Sequence, residues 1–149
     1  MVEIVVAVSI ITVSVLAVMA VAQKSIYVSR QATHTLEASF LLEEGAEAVR
    51  ITRDNAWSNI SGLSNATTYY PKFSSSTWAL ATTASDGTVG IFSRKVNIAS
   101  VNRDNTTNDI AASGTDDTGT KLMTVTVSWL EGSTTVSKTL SFYIMDIFS

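Results

Sequence analysis

Few side chains in this 149-residue sequence have the types and spacing that catalysis requires. There is no cysteine to act as a nucleophile, and the one histidine, His34, lies on the expected long helix and in no recognisable catalytic motif. The sequence also lacks the glycine-rich motifs that bind phosphate and the histidine motifs that bind catalytic zinc. We therefore expect a protein that is not an enzyme and that uses no cofactor.

Charge and oxygen-rich segments point to few other ligands. The net charge of −3 excludes the strong positive field of a dedicated nucleic-acid binder. Residues 102–120 form an Asn-, Asp-, Thr- and Gly-rich surface loop, and oxygen atoms in such a loop can wrap Ca²⁺. The loop lacks the spacing of an EF-hand, so we expect no metal and keep its four aspartates as calcium candidates. These are Asp104, Asp109, Asp116 and Asp117.

Three asparagines lie in the Asn-X-Ser/Thr pattern of N-glycosylation: Asn59, Asn65 and Asn105. The pattern arises often by chance in a chain so rich in Ser, Thr and Asn. Chance is therefore the default explanation, and the three asparagines remain possible glycosylation sites.

An uncharged apolar run is the strongest feature of the sequence. Residues 4–22 contain no charged side chain, and nineteen helical residues at about 1.5 Å each span roughly the 30 Å hydrocarbon core of a bilayer. The run is longer than the core of a signal peptide and has no basic stretch before it. It predicts a helix that crosses a membrane once.

Glu3 places a carboxylate at the very start of this apolar helix. One explanation is that the acid complements the positive end of the helix dipole. The other is a partner: in a bundle of identical helices, the Glu3 carboxylate of one chain can meet the α-amino group of Met1 of its neighbour. That contact would neutralise both charges and set the axial register of the bundle.

The sequence of residues 1–11, Met-Val-Glu-Ile-Val-Val-Ala-Val-Ser-Ile-Ile, resembles the start of a mature bacterial type IV pilin or pseudopilin. The resemblance implies that a prepilin peptidase cuts the precursor, that the helix first anchors the subunit in the inner membrane with its head outside, and that it then packs the core of an extracellular filament. The family has four residues before the glutamate, whereas this sequence has two. We expect two further residues before Met1.

The resemblance implies a homopolymer built by a pilus assembly machinery, with this chain as the major pilin. A minor pilin, a pseudopilin of type II secretion and an archaeal pilin remain open, as does a single-span membrane anchor whose head binds a ligand or mediates adhesion without polymerising. Whether the filament serves motility, adhesion, DNA uptake or secretion is equally open. The expected filament-core residues are Ile4, Val8, Ile11, Val15 and Val18.

The elements expected around these residues form an α+β fold, with a long helix over residues 1–54 and a C-terminal antiparallel sheet, the lollipop of the pilin family. We divide the chain into an apolar half-helix at 1–23 and a head at 24–149. Within the head lie the second half of the helix at 24–54, a connector at 55–87 and the sheet at 88–149. Apolar residues spaced along the second half of the helix predict the face that covers the sheet: Val28, Ala32, Leu36, Phe40, Leu42, Ala46 and Val49.

Alternating apolar and polar residues predict three strands at 88–101, 121–130 and 135–147, with a hairpin turn at 131–134 between the last two. In the last strand Leu140, Phe142 and Ile144 are expected to face inward. On the helix, Glu43, Glu44 and Glu47 lie three or four residues from Arg50 and Arg53, a spacing typical of a solvated, salt-bridged face.

Overall fold

The computed structural model describes residues 1–147. The predicted long helix is confirmed as α1, Val2–Asn55. No proline interrupts it, and the acidic Glu3 in the first turn and the basic Arg53 in the last turn complement the helix dipole. A short helix α2, Ser58–Ser61, follows directly.

Within residues 1–147, seven strands complete the α+β fold. In chain order they are β1 Tyr70–Ser74, β2 Thr77–Ala81, β3 Thr88–Val89, β4 Phe92–Arg103, β5 Ile110–Ala111, β6 Thr115–Glu131 and β7 Thr134–Met145. The main sheet is antiparallel with the order β3-β4-β6-β7, and β5 pairs with β4. β1 and β2 form a separate two-stranded sheet, and a 3-10 helix at Ala84–Gly87 leads into β3.

The chain divides into two compact units, Met1–Glu37 and a unit that begins at Ala38. No residue of the first unit is buried. The second unit has a continuous core in which helix residues such as Ala38, Leu42 and Val49 join Val96, Val125 and other apolar residues of the sheet. Tertiary packing therefore stabilises the helix only from Ala38 onward.

The predicted covering face of the helix is correct in its C-terminal part and wrong before it. Leu42, Ala46 and Val49 are buried, but Val28, Ala32, Leu36 and Phe40 are exposed. A strict four-residue spacing drifts about 40° around an α-helix at each step, so that this row turns away from one face. The buried face instead mixes steps of three and four residues, through Ala38, Leu42, Gly45, Val49 and Thr52.

The predicted strands at 121–130 and 135–147 are confirmed as β6 and β7, and the predicted turn lies at Gly132 and Ser133, where Glu131 pairs with Thr134. The predicted strand at 88–101 is divided by a turn at Gly90 into β3 and β4, which pair with each other. The alternation that predicted β6 is matched by its burial, since Met123, Val125, Val127 and Trp129 are buried. β7 lies at the edge of the sheet. Its Ile144 is buried and Phe142 half-buried, but Leu140 is 37% exposed, so its predicted inward packing is only partial.

The predicted loop at 102–120 is wrong at both ends. β4 continues to Arg103 and β6 already begins at Thr115, past a register shift between Ser100 and Val101. Polar residues can extend these strands because the Arg103 Nε–Asp117 Oδ2 ion pair of 2.6 Å joins them across the sheet. The remaining loop, 104–114, also contains the short strand β5.

Candidate membrane and assembly surface

The exposed apolar surface of the first unit is the candidate functional site. An 18-residue window of α1 has a mean hydropathy of 2.9, and none of it is buried, so the helix is long and apolar enough to cross a membrane. The five residues expected in a filament core, Ile4, Val8, Ile11, Val15 and Val18, are each 52–69% exposed. A contiguous apolar surface of this kind requires lipid or another protein to cover it.

Three hydroxyl groups interrupt the apolar run, and each is satisfied within the helix. Ser9 donates to the carbonyl of Val5 at 2.7 Å, and Thr12 and Ser14 each donate to the carbonyl four residues earlier at 2.8 Å. Because these hydroxyls already have acceptors, burial in lipid or between helices leaves none of them unpaired. The whole run can therefore enter an apolar environment.

Met1 and Glu3 mark the N-terminal end of this surface. The backbone N–H of Val5 donates to the carbonyl of Met1 at 3.4 Å, and the side chains of both Met1 and Glu3 are exposed. An acid in the first turn is favoured by the helix dipole, which is the first of the two explanations given above. An exposed carboxylate beside an exposed α-amino group also leaves both groups accessible to a second copy.

At the other end of the apolar run, polar side chains contact one another. Lys24 Nζ lies 5.1 Å from the centre of the Tyr27 ring, and Gln31 Nε2 donates to the Tyr27 hydroxyl at 3.0 Å. The contact between Lys24 and Tyr27 was not predicted from the sequence. The three- and four-residue spacing of Lys24, Tyr27 and Gln31 was the available signal, since such residues are neighbours on a helix.

No protein-family model, curated protein or solved structure matches this chain. The fold itself, with one long apolar N-terminal helix whose C-terminal part packs on an antiparallel sheet, is compatible with a pilin-like fold.

Two of the four calcium-candidate aspartates, Asp104 and Asp117, accept hydrogen bonds from backbone N–H groups. Asp104 Oδ1 accepts the backbone N–H groups of Thr107 and Thr106 at 2.9 and 2.8 Å, and these bonds lower the pKa of Asp104. The pKa of Asp117 is lowered by hydrogen bonds from the Thr120 hydroxyl, then from Arg103 and from the backbone N–H of Gly119.

The other two candidates, Asp109 and Asp116, are exposed. Over residues 1–147, no group of three or more His, Asp or Glu side chains is placed to hold a metal ion.

The three candidate glycosylation sites are exposed, and each amide makes a hydrogen bond within the chain. Asn59 Nδ2 donates to the carbonyl of Thr52 at 3.3 Å, and Asn65 Nδ2 donates to Ser100 Oγ at 2.8 Å. Asn105 Oδ1 accepts the Thr115 hydroxyl at 2.8 Å.

Arg94 is the charged residue that sequence reasoning missed. It lies on the inward face of β4 between Phe92 and Val96 and is only 2% exposed. Its Nη1 donates to Glu44 Oε2 at 2.8 Å, whereas its buried Nε finds no hydrogen-bond partner among residues 1–147. Gly45 makes room for it, since a Cβ there would lie 3.2 Å from Arg94 Cδ.

The helix charges pair less uniformly than expected. Glu47 pairs with Arg50 at 3.2 Å on the solvated face, as predicted. Arg53 instead pairs with its neighbour Asp54 at 2.7 Å, and Glu44 forms its ion pair with Arg94 of β4. The alternating strand pattern that places Arg94 inward was present in the sequence, but a basic residue in a strand is ordinarily assigned to the solvent face.

Proposed function

We propose that this chain is a structural subunit of a type IV pilin-like filament, with the major pilin as the specific role. One observation carries the proposal: a helical unit with no buried residue presents a membrane-length apolar surface that begins with an acid in its first turn. Copies of the same helix are suited to cover that surface, because the apolar side chains point in every direction around the axis.

Glu3 is the feature that favours assembly over simple anchoring. A carboxylate moved into an apolar core is costly unless a positive charge neutralises it. In a bundle of staggered copies, the α-amino group at the start of one helix supplies that charge to Glu3 of the next. A helix that only anchors a head in lipid gains nothing from this pairing.

The rest of the proposed role follows from the resemblance to pilins. A prepilin peptidase exposes the α-amino group, the subunit waits in the inner membrane with its sheet unit outside, and an assembly machinery moves it into an extracellular homopolymer. The role is structural rather than catalytic, and the sheet unit forms the outer surface of the filament.

The test compares Glu3→Ala with Glu37→Ala in cells that produce the chain. Both substitutions remove one exposed carboxylate from the same helical unit, but only Glu3 lies at the start of the apolar run. Surface filaments are sheared off, and the protein is quantified by immunoblot in the sheared and membrane fractions.

We expect Glu37→Ala to give filaments at the wild-type level. Glu3→Ala should insert into the membrane at the wild-type level and yield no sheared filament. Filaments of normal abundance from Glu3→Ala would contradict the pairing of Glu3 with a neighbouring amine. Wild-type protein that stays in the membrane without any filament would contradict the filament role and favour a single-span binding module.

A further inference from the structure

A small basic and aromatic cluster follows the apolar run within the first unit. We call Lys24, Tyr27 and Arg30 the basic belt. The sequence has no acidic residue between Glu3 and Glu37, so the two cations of the belt are not balanced by any nearby carboxylate on their own helical segment. Within residues 1–147, neither Lys24 nor Arg30 is joined to an acidic side chain in an ion pair.

The three side chains of the belt share one side of the helix. Successive members are three residues apart, which places them about 4.5 Å apart along the axis. Lys24 Nζ lies over the Tyr27 ring, and Gln31 fixes the Tyr27 hydroxyl from the following turn. The Tyr27 ring therefore lies under the Lys24 ammonium group, with 39% of the Tyr27 surface exposed.

The position of the belt decides what it meets. Lys24 comes two residues after the last residue of the uncharged run at 4–22, so that a membrane covering this run ends at the belt. Tyrosine is enriched at that depth because its ring is apolar and its hydroxyl is polar, and long basic side chains extend from it toward the headgroups. The groups available there to two unpaired cations are lipid phosphates.

We propose that the basic belt binds the phosphate groups of anionic phospholipids and so selects the lipids around the subunit before assembly. The inference rests on the membrane-resident stage of the proposed function. Charge complementarity favours anionic over zwitterionic lipid, because the net charge of a zwitterionic headgroup is zero. Each cation near an anionic membrane surface contributes roughly a fivefold preference.

The experiment measures lipid selectivity of the full chain in phosphatidylcholine vesicles that contain a minor fraction of phosphatidylglycerol. Electron spin resonance of spin-labelled lipids gives the association of each lipid with the protein relative to bulk. The test variant is Lys24→Gln/Arg30→Gln. The matched control is Lys95→Gln/Lys138→Gln, which removes two exposed cations from the sheet unit instead.

We expect wild-type protein and the control to prefer labelled phosphatidylglycerol, and high salt to reduce that preference. Lys24→Gln/Arg30→Gln should lose it, by up to about fivefold for each cation removed, while Lys24→Arg retains it. Near-ultraviolet circular dichroism of the tryptophans confirms that each variant is folded. An equal preference in wild type and the belt variant would overturn the proposal.

Failure of this inference is distinguishable from failure of the proposed function. If the chain forms Glu3-dependent filaments but shows no lipid preference, only the proposal that the basic belt binds anionic phospholipids is rejected. A chain that alkaline carbonate extracts from membranes has no membrane-resident stage, and that result overturns the belt and the proposed anchoring together.

Discussion

The pair of Glu44 and Arg94 allows a sharp test of how the sheet unit is stabilised. Arg94 is almost fully buried, whereas the Glu44 side chain is 45% exposed. Removing one partner of a fully buried ion pair costs about 3–5 kcal/mol, because the other charge is left uncompensated. An exposed pair is worth less than about 1 kcal/mol. Glu44→Gln leaves a buried guanidinium beside a half-hydrated amide, so we expect a loss of about 2 kcal/mol.

Arg94→Met has a different expected effect, although it breaks the same pair. The substitution removes the buried charge together with the unpartnered Nε, and the carboxylate that remains on Glu44 is reached by water. Replacing a buried ion by an apolar side chain is often neutral or stabilising. The guanidinium also lies 5.3 Å from the Trp78 ring, a contact worth about 0.5–2 kcal/mol that methionine forfeits. We expect a net change within about 1 kcal/mol.

The assay is thermal unfolding of the full chain in detergent, followed by near-ultraviolet circular dichroism. All three tryptophans, Trp57, Trp78 and Trp129, belong to the unit that begins at Ala38, so the signal reports on that unit. A loss of about 2 kcal/mol lowers the midpoint of a unit of this size by about 8 °C.

Glu47→Gln is the matched control, because its ion pair with Arg50 is exposed on both sides. It should change stability by less than about 1 kcal/mol. The double variant Glu44→Gln/Arg94→Met should be about as stable as Arg94→Met alone, because the cost of Glu44→Gln arises from the buried charge that Arg94→Met removes. The reasoning is refuted if Arg94→Met is more destabilising than Glu44→Gln.

Two further substitutions in the second unit, and a change of pH, have expected outcomes in the same unfolding assay. Gly45→Ala places a Cβ 2.7 Å from Val125 Cγ1 and should destabilise the unit by about 1–2 kcal/mol, despite the better helix propensity of alanine. Ser76→Gly should stabilise it by up to about 1 kcal/mol, because Ser76 has a φ of 62° in the β1–β2 turn. The pKa values of Asp104 and Asp117 are lowered in the folded protein, so the unfolded chain binds more protons in acid. The stability they contribute is present above the unfolded value of 3.8 and is lost as the pH falls through their folded pKa values.

Each of these outcomes has a clear contrary. A neutral Gly45→Ala would show that Val125 moves aside freely, and a destabilising Ser76→Gly would show that the left-handed turn carries no strain. Asp117→Asn tests the predicted loss of stability in acid. It should lower stability at neutral pH and flatten the loss of stability below the unfolded pKa. If the stability of Asp117→Asn falls with pH in acid as steeply as that of the wild type, the role given to the lowered pKa values is contradicted.

Local patterns predicted the regular elements well. The long helix followed from an uninterrupted run without proline, and β4, β6 and β7 followed from strict alternation, with Met123, Val125 and Val127 buried as expected. The hairpin β1–β2, within the expected connector, was not predicted. Its turn has Ser75 and Ser76 at positive φ, whereas the usual sequence signal for such a turn is Asn-Gly.

Long-range pairing accounts for the remaining errors. Arg94 can be buried because Glu44 and Gly45, about fifty residues earlier, supply a charge and a space for it. Arg103 extends β4 because Asp117 meets it across the sheet. Such partners cannot be paired from one sequence without the register of the sheet. The membrane and assembly surface was easier to identify, because it depends on composition along a single helix.

Electron microscopy of material sheared from cells that produce this chain tests the central claim most directly, with mass spectrometry of the subunit to define its N-terminus. We predict thin helical filaments composed mainly of this chain, in which the apolar helices of successive copies form the core and Glu3 lies beside the α-amino group of a neighbour. Membrane-bound protein with no filaments, or filaments in which these helices do not meet, would contradict the account.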